Sequence, residues 1–129
     1  IGVPGGLILG FLGGLLCYVA VDYIRGKLQI DDSLDVFAVH GVGGILGTLL
    51  VAFLATSPFS GLGLAEGQTG TSQFIIQLKA VVLTVIWTSF FTYLILKLTS
   101  LVVSLRVDEQ EEIEGLDLRS HGEKGYHSD

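Results

Sequence analysis

The sequence predicts an all-α integral membrane architecture: three membrane-spanning helices followed by a polar tail. Three observations predict it. Half of the 129 residues are hydrophobic, only 16% are charged and mean hydropathy is +0.66, too apolar for an ordinary soluble domain. Glycine occurs 18 times and proline twice, a glycine load common in membrane helices. The runs 1–21 and 36–65 carry no Asp, Glu, Lys or Arg and exceed the roughly 18 apolar residues a spanning helix needs.

The first helix, about 1–21, would rise roughly 31 Å, enough to cross a hydrocarbon core of about 30 Å. It ends where the polar stretch 22–35 begins. The second, about 36–55, stops at Thr56, Ser57 and Pro58, beyond which Gly61, Gly63, Gly67 and Gly70 predict a loop. The third, about 80–104, carries one charge, Lys97, near enough to its end for the ammonium to snorkel to the interface. Residues 106–129 form the tail, with eight acidic against three basic side chains, and this accounts for most of the net charge of -6. Such a tail argues against nucleic acid or anionic lipid as partner.

No methionine is present and Ile1 opens inside an apolar run, which predicts that the chain is the C-terminal piece of a longer protein. No basic segment precedes the first run, against a signal peptide. Cys17 is the single cysteine, so there is no disulfide framework or cysteine metal site. With three crossings the loop at 22–35 and the tail share a side, which holds Arg25, Lys27, Arg106, Arg119 and Lys124 against Lys79 on the other. The positive-inside rule makes that side cytoplasmic.

Glycine spacing adds a packing expectation. Gly6, Gly10 and Gly14 recur every four residues, and Gly43 and Gly47 repeat the spacing, so two helices carry flat stripes that admit a neighbouring backbone. The bland alternative is that glycine is simply frequent in membrane helices. Three helices with two flat faces call for partner helices outside this segment.

His40 is the candidate for chemistry, because an ionisable side chain inside a membrane helix is costly and usually faces a cavity or pathway. Gly44 and Gly47 follow at i+4 and i+7, which predicts an imidazole beside a stripe without side chains and room for a narrow lumen. The competing reading is a histidine hydrogen-bonded between packed helices. Asp31, Asp32 and Asp35 stand at the start of this helix, and Asp32 and Asp35 have capping-box spacing. Capping is one role; drawing cations to a cytoplasmic mouth is the other. Glu66 reads either as a solvated loop charge or as part of an outer mouth. Trp87 reads as packing, Tyr18, Tyr23 and Tyr93 as interfacial anchors, and His121 and His127 as solvated. There is no phosphate loop, nucleophile elbow, paired histidine or metal-ligand spacing, so conventional enzyme chemistry has no candidate residues.

The string DDSLDVFAVHGVGGIL, Asp31 to Leu46, resembles the penultimate membrane helix of the ammonium transporter family (Amt, Mep and Rhesus-type proteins). EGLDLRSHGEKGY, Glu114 to Tyr126, resembles the tail motif of bacterial-type Amt members. Together the two motifs make the chain similar to the last three of eleven helices. The resemblance implies an inverted-repeat ammonium channel working as a homotrimer with one hydrophobic pore per subunit, and no cofactor. It implies that His40 is one of a hydrogen-bonded histidine pair in the pore. Ammonium would be recruited, deprotonated and passed as ammonia, its proton either returned or carried along the histidine pair, with Val36 and Phe37 near the pore exit. It implies that Gly115, Leu116, Asp117, His121, Gly122, Glu123 and Tyr126 form a regulatory surface that meets a PII-type signal protein. Ala38 replaces a usual glycine and Gly125 a usual alanine; neither change removes a functional group. The alternative from another class is a non-conducting, membrane-anchored docking module using the tail. Conduction of another small neutral molecule would differ only in substrate.

Overall fold

The computed structural model describes residues 1–123. Helix α1 runs Val3–Asp22, with Pro4 in its first turn, where a missing N–H costs no hydrogen bond. It continues as a π-helical turn, Tyr23–Lys27. After a loop, the second span opens as another π-helical turn, Val36–Val42, and proceeds without a break as α2, Gly43–Leu54. A short 3₁₀ turn, Ser57–Phe59, follows. Helix α3 then runs Gly70–Thr99. Among the described residues, three helices are therefore long and apolar enough to cross a membrane: Val3–Lys27, Val36–Leu54 and Gly70–Thr99.

The first two spans run antiparallel and touch where residues are small. Gly5 is buried at one end, where an added methyl would lie 3.0 Å from the Leu54 carbonyl oxygen. Towards the other end a methyl on Gly43 would lie 2.9 Å from Cys17 Sγ, and that thiol is 3.8 Å from the Val39 carbonyl it donates to. Ala38, fully buried in the π turn, belongs to the same packed element. Among the described residues, Ile24, Ala52 and Leu54 are the other buried apolar side chains.

Helix α3 starts about ten residues before the expected 80. Thr69 and Ser72 cap each other: Ser72 N–H donates to Thr69 Oγ1 at 3.1 Å, and Thr69 N–H donates to Ser72 Oγ at 2.9 Å. This reciprocal cap makes Gly70-Thr71-Ser72-Gln73, polar enough to read as loop, into a first turn. Gly70 fits against Phe53 Cδ1, and the Phe53 and Phe74 rings lie 5.6 Å apart. Lys79 is consequently a helix residue and not part of a connection.

The chain divides into two compact units within α3, after Ile86. In the second unit α3 ends at Thr99, short of 104, where Ser100 Oγ donates to the Lys97 carbonyl and competes with helix continuation. The tail folds into α4, Glu109–Glu114, and a π-helical turn, Asp117–His121. Gly115 at φ +94° joins them and Gly122 at φ +66° ends the second, both conformations that favour glycine.

Nearly all large apolar side chains of the spans are exposed within the chain: at most 11% of any span's most apolar window is buried. Surface of this extent is covered by lipid or by other helices.

Candidate functional site

The site grows from the loop at 28–35 and the π turn that follows. Asp35 adopts the left-handed conformation, φ +53°, which reverses the chain immediately before Val36. The reversal brings Asp32 over the helix start. Its Oδ1 accepts from Val36 N–H at 2.7 Å, and its Oδ2 from Phe37 N–H at 2.9 Å and Ala38 N–H at 3.4 Å. Asp35 does not complete a capping box. Its carboxylate pairs with Arg25 Nε at 3.3 Å, while Arg25 Nη2 donates to the Ser33 carbonyl at 3.0 Å. Asp31 accepts from Ser33 Oγ at 3.0 Å. The three aspartates thus have three tasks: Asp32 holds the helix start, Asp35 ties the loop to the end of the first span, and Asp31 steadies Ser33.

Partial burial pushes the Asp32 carboxyl up, but the three backbone N–H bonds and the Arg25 charge outweigh it and hold it below the usual carboxylate value. Asp32 is therefore an anion at neutral pH, matched to the positive end of the helix.

His40 lies within the π turn, exposed to two cavities. The first, of about 430 Å³, is lined by Ile30, Asp31, Asp32, Val36, Phe37, His40 and Gly41. The second, a groove of about 340 Å³, runs from His40 and Gly41 past Gly44, Ile45 and Thr48, with Ala80, Val81, Thr84 and Val85 of α3 on its far side. His40 and Gly41 belong to both. On one side the imidazole meets a mouth edged by two aspartates, and on the other an apolar channel-like surface. π turns of this kind are often found at functional sites, because they widen the helix and redirect its side chains.

Val36, Phe37, Asp31, Asp32 and Gly44 join His40 around these cavities; Gly47 does not. The π winding alters the phase between His40 and α2, so the expected i+7 alignment does not carry through. Gly6, Gly10, Gly14, Gly44 and Gly47 face open space within the chain, where the helix contact uses Gly5 and, from the expected stripes, Gly43. Glu66 occupies an exposed turn. In the tail, Gly115, Leu116, Asp117, His121, Gly122 and Glu123 form or flank the terminal π turn, and Glu123 N–H donates to the Asp117 carbonyl at 3.1 Å. Tyr126 and His127 lie outside the described residues.

Several participants were missing from the sequence-based reading. Arg25 counted only as an orientation charge, although a guanidinium a few residues before an aspartate cluster is a ready partner for it. Gly41 provides the seat of the Phe37 ring: a methyl there would lie 3.1 Å from Phe37 Cδ2. The i, i+4 spacing of Phe37 and Gly41 was the available signal. Thr48 and the α3 residues of the groove had no local signature.

Comparison with known proteins bears on what this arrangement serves. The model of the Ammonium Transporter Family matches residues 1–126. An ammonium transporter of Archaeoglobus fulgidus is 39% identical over 125 residues, covering 96% of this chain and 31% of that protein. One from Bacillus subtilis is 37% identical over 122 residues, 93% of this chain and 30% of its own length. One from Dictyostelium discoideum is 39% identical over 121 residues, 93% of this chain and 26% of its own. The chain thus spans about a third or less of the relatives it matches. With three membrane-length helices and a match across nearly its whole length, this chain belongs to the ammonium transporter family.

Proposed function

We propose that this chain forms part of an ammonium transport protein of the cell membrane, in which ammonium gives up its proton, ammonia crosses a hydrophobic pore past a pair of imidazoles, one of them His40, and the proton is carried across separately along that pair, so that transport moves charge. The observation that carries the reading is the position of His40 between an aspartate-edged mouth and an apolar groove. An ion taken whole through apolar surroundings meets a very large desolvation cost, whereas neutral ammonia does not. A neutral imidazole offers a donor on one nitrogen and an acceptor on the other, the pair of functions needed to hand a small hydrogen-bonding molecule along. Val36 and Phe37 border the mouth on the side of the loop at 28–35. The excess of Lys and Arg in that loop and in the tail supports a cytoplasmic position for both.

The family resemblance further supports a homotrimer and a regulatory tail that meets a PII-type signal protein. The folded tail suits that role: Arg119 lies 3.4 Å from Glu114 and 3.9 Å from Glu111, and Arg106 bonds both carboxylate oxygens of Glu112 at 3.0 Å. These pairs give the segment a shape to present.

The test is ammonium-evoked current in proteoliposomes holding the full-length protein, with trimer content checked by gel filtration. His40→Ala is expected to lower the current by about tenfold or more with trimers preserved. An unchanged current would make His40 a packing histidine and sink the mechanism. Deleting 106–129 is expected to leave conduction but abolish its response to the PII-type protein; an undiminished response would remove the tail from that role.

A further inference from the structure

A helix begins with four N–H groups that have no acceptor within the helix. At the start of the second span they belong to Asp35, Val36, Phe37 and Ala38, and all four are taken by Asp32. Its carboxylate accepts the last three, and its carbonyl accepts Asp35 N–H at 3.0 Å. A usual capping side chain satisfies one such group. Here one carboxylate reaches three, from a residue that lies four positions before the helix.

That reach depends on the loop. The left-handed backbone of Asp35 folds Asp32 back over the helix end, and Arg25 holds the fold by gripping Asp35 through its carboxylate and Ser33 through its carbonyl. Arg25 itself stands in the π turn that ends the first span. The clasp therefore fixes the second span's first turn against the first span.

The clasped turn is the π turn Val36–Val42, and His40 is its fifth residue. π winding advances less per residue than α winding, so a change from one to the other rotates every side chain that follows. We propose that Asp32, braced by the Arg25–Asp35 clasp, is the positioning residue for His40: it anchors the π winding of Val36–Val42 and thereby the direction of the imidazole between the two cavities. Asp32 need not touch the transported molecule to do this. The inference rests on the reading of His40 as a pore residue.

Full-length protein in proteoliposomes tests it, with wild type, Asp32→Ala, Asp32→Asn and His40→Ala compared for maximal transport rate and half-saturating ammonium. Alongside, ¹⁵N NMR follows the His40 ring, assigned by difference from His40→Ala. Asp32→Ala is expected to lower the maximal rate about tenfold, as displacement of a working group does. Half-saturating ammonium should stay unchanged and the His40 ring signals should move. Asp32→Asn keeps one acceptor oxygen and should fall between; it carries the test if the alanine variant does not assemble. Ring signals that stay in place, whether or not the rate falls, overturn the proposal. An unchanged rate in His40→Ala overturns the pore reading beneath it. Loss of transport in His40→Ala beside wild-type rate and ring signals in the Asp32 variants overturns the positioning role alone.

Discussion

Gly41 shows how much depends on a missing methyl. The Phe37 ring rests over it at the mouth beside His40, and a methyl would come within 3.1 Å of Cδ2 and 3.4 Å of Cε2. Those distances require a shift of a few tenths of an ångström, and the ring, 61% exposed, is free to make it. Replacing a helix glycine by alanine also stabilises by roughly 1 kcal/mol. Gly41→Ala should therefore leave thermal stability within about 1 kcal/mol of wild type while lowering the maximal transport rate, since the ring that edges the mouth moves. Melting curves and proteoliposome currents of the full-length variant check this pair of outcomes; a marked loss of stability would mean that Phe37 cannot yield. Ala38, one position beyond Phe37, has no such freedom, being fully buried. His40 was legible in the sequence because an ionisable group in an apolar run stands out. The Arg25–Asp35 pair was not, because nothing in the order of residues says which of three aspartates a nearby guanidinium selects.

Among the elements, the start of the second span carries a pH dependence whose sign follows from Asp32. Its carboxyl is held below the usual value because its hydrogen bonds and Arg25 favour the charged form. A group depressed on folding adds stability that is fully present above its unfolded value, near pH 4, and is lost as pH falls through the folded value. Arg25, Asp31 and Asp35 are the charged groups that face or share the loop with Asp32. The difference in melting temperature between wild type and Asp32→Asn should thus be constant from neutral pH to about pH 5 and shrink below about pH 4. A difference that persists at low pH would deny the carboxylate its capping role. Helix α3 shows how a boundary escapes a reading by composition. Its first turn is glycine and small polar residues, which favour loops on their own, and the Thr69–Ser72 cap reverses that preference.

For the whole molecule, the glycine stripe of α1 is the surface that bears on assembly. Gly6, Gly10 and Gly14 have nothing within reach of an added methyl, although Gly5 next to them is buried against the second span. The stripe is therefore free to receive a further helix. In the full-length protein Gly10→Leu is expected to destabilise by about 1–3 kcal/mol through overpacking, read as a lowered melting temperature in detergent. Wild-type melting would mean that the stripe faces lipid. The three spans, the candidate histidine and the family resemblance were determined by the sequence alone, because hydropathy and local motifs are properties of the residue order and need no folded partner. The π winding beneath His40, the division of labour among Asp31, Asp32 and Asp35, the seat of Phe37 on Gly41 and the facing of the glycines were decided only in the tertiary structure. Each depends on which groups meet across a loop or a helix crossing, and a carboxylate or a glycine reads the same in sequence whatever it meets.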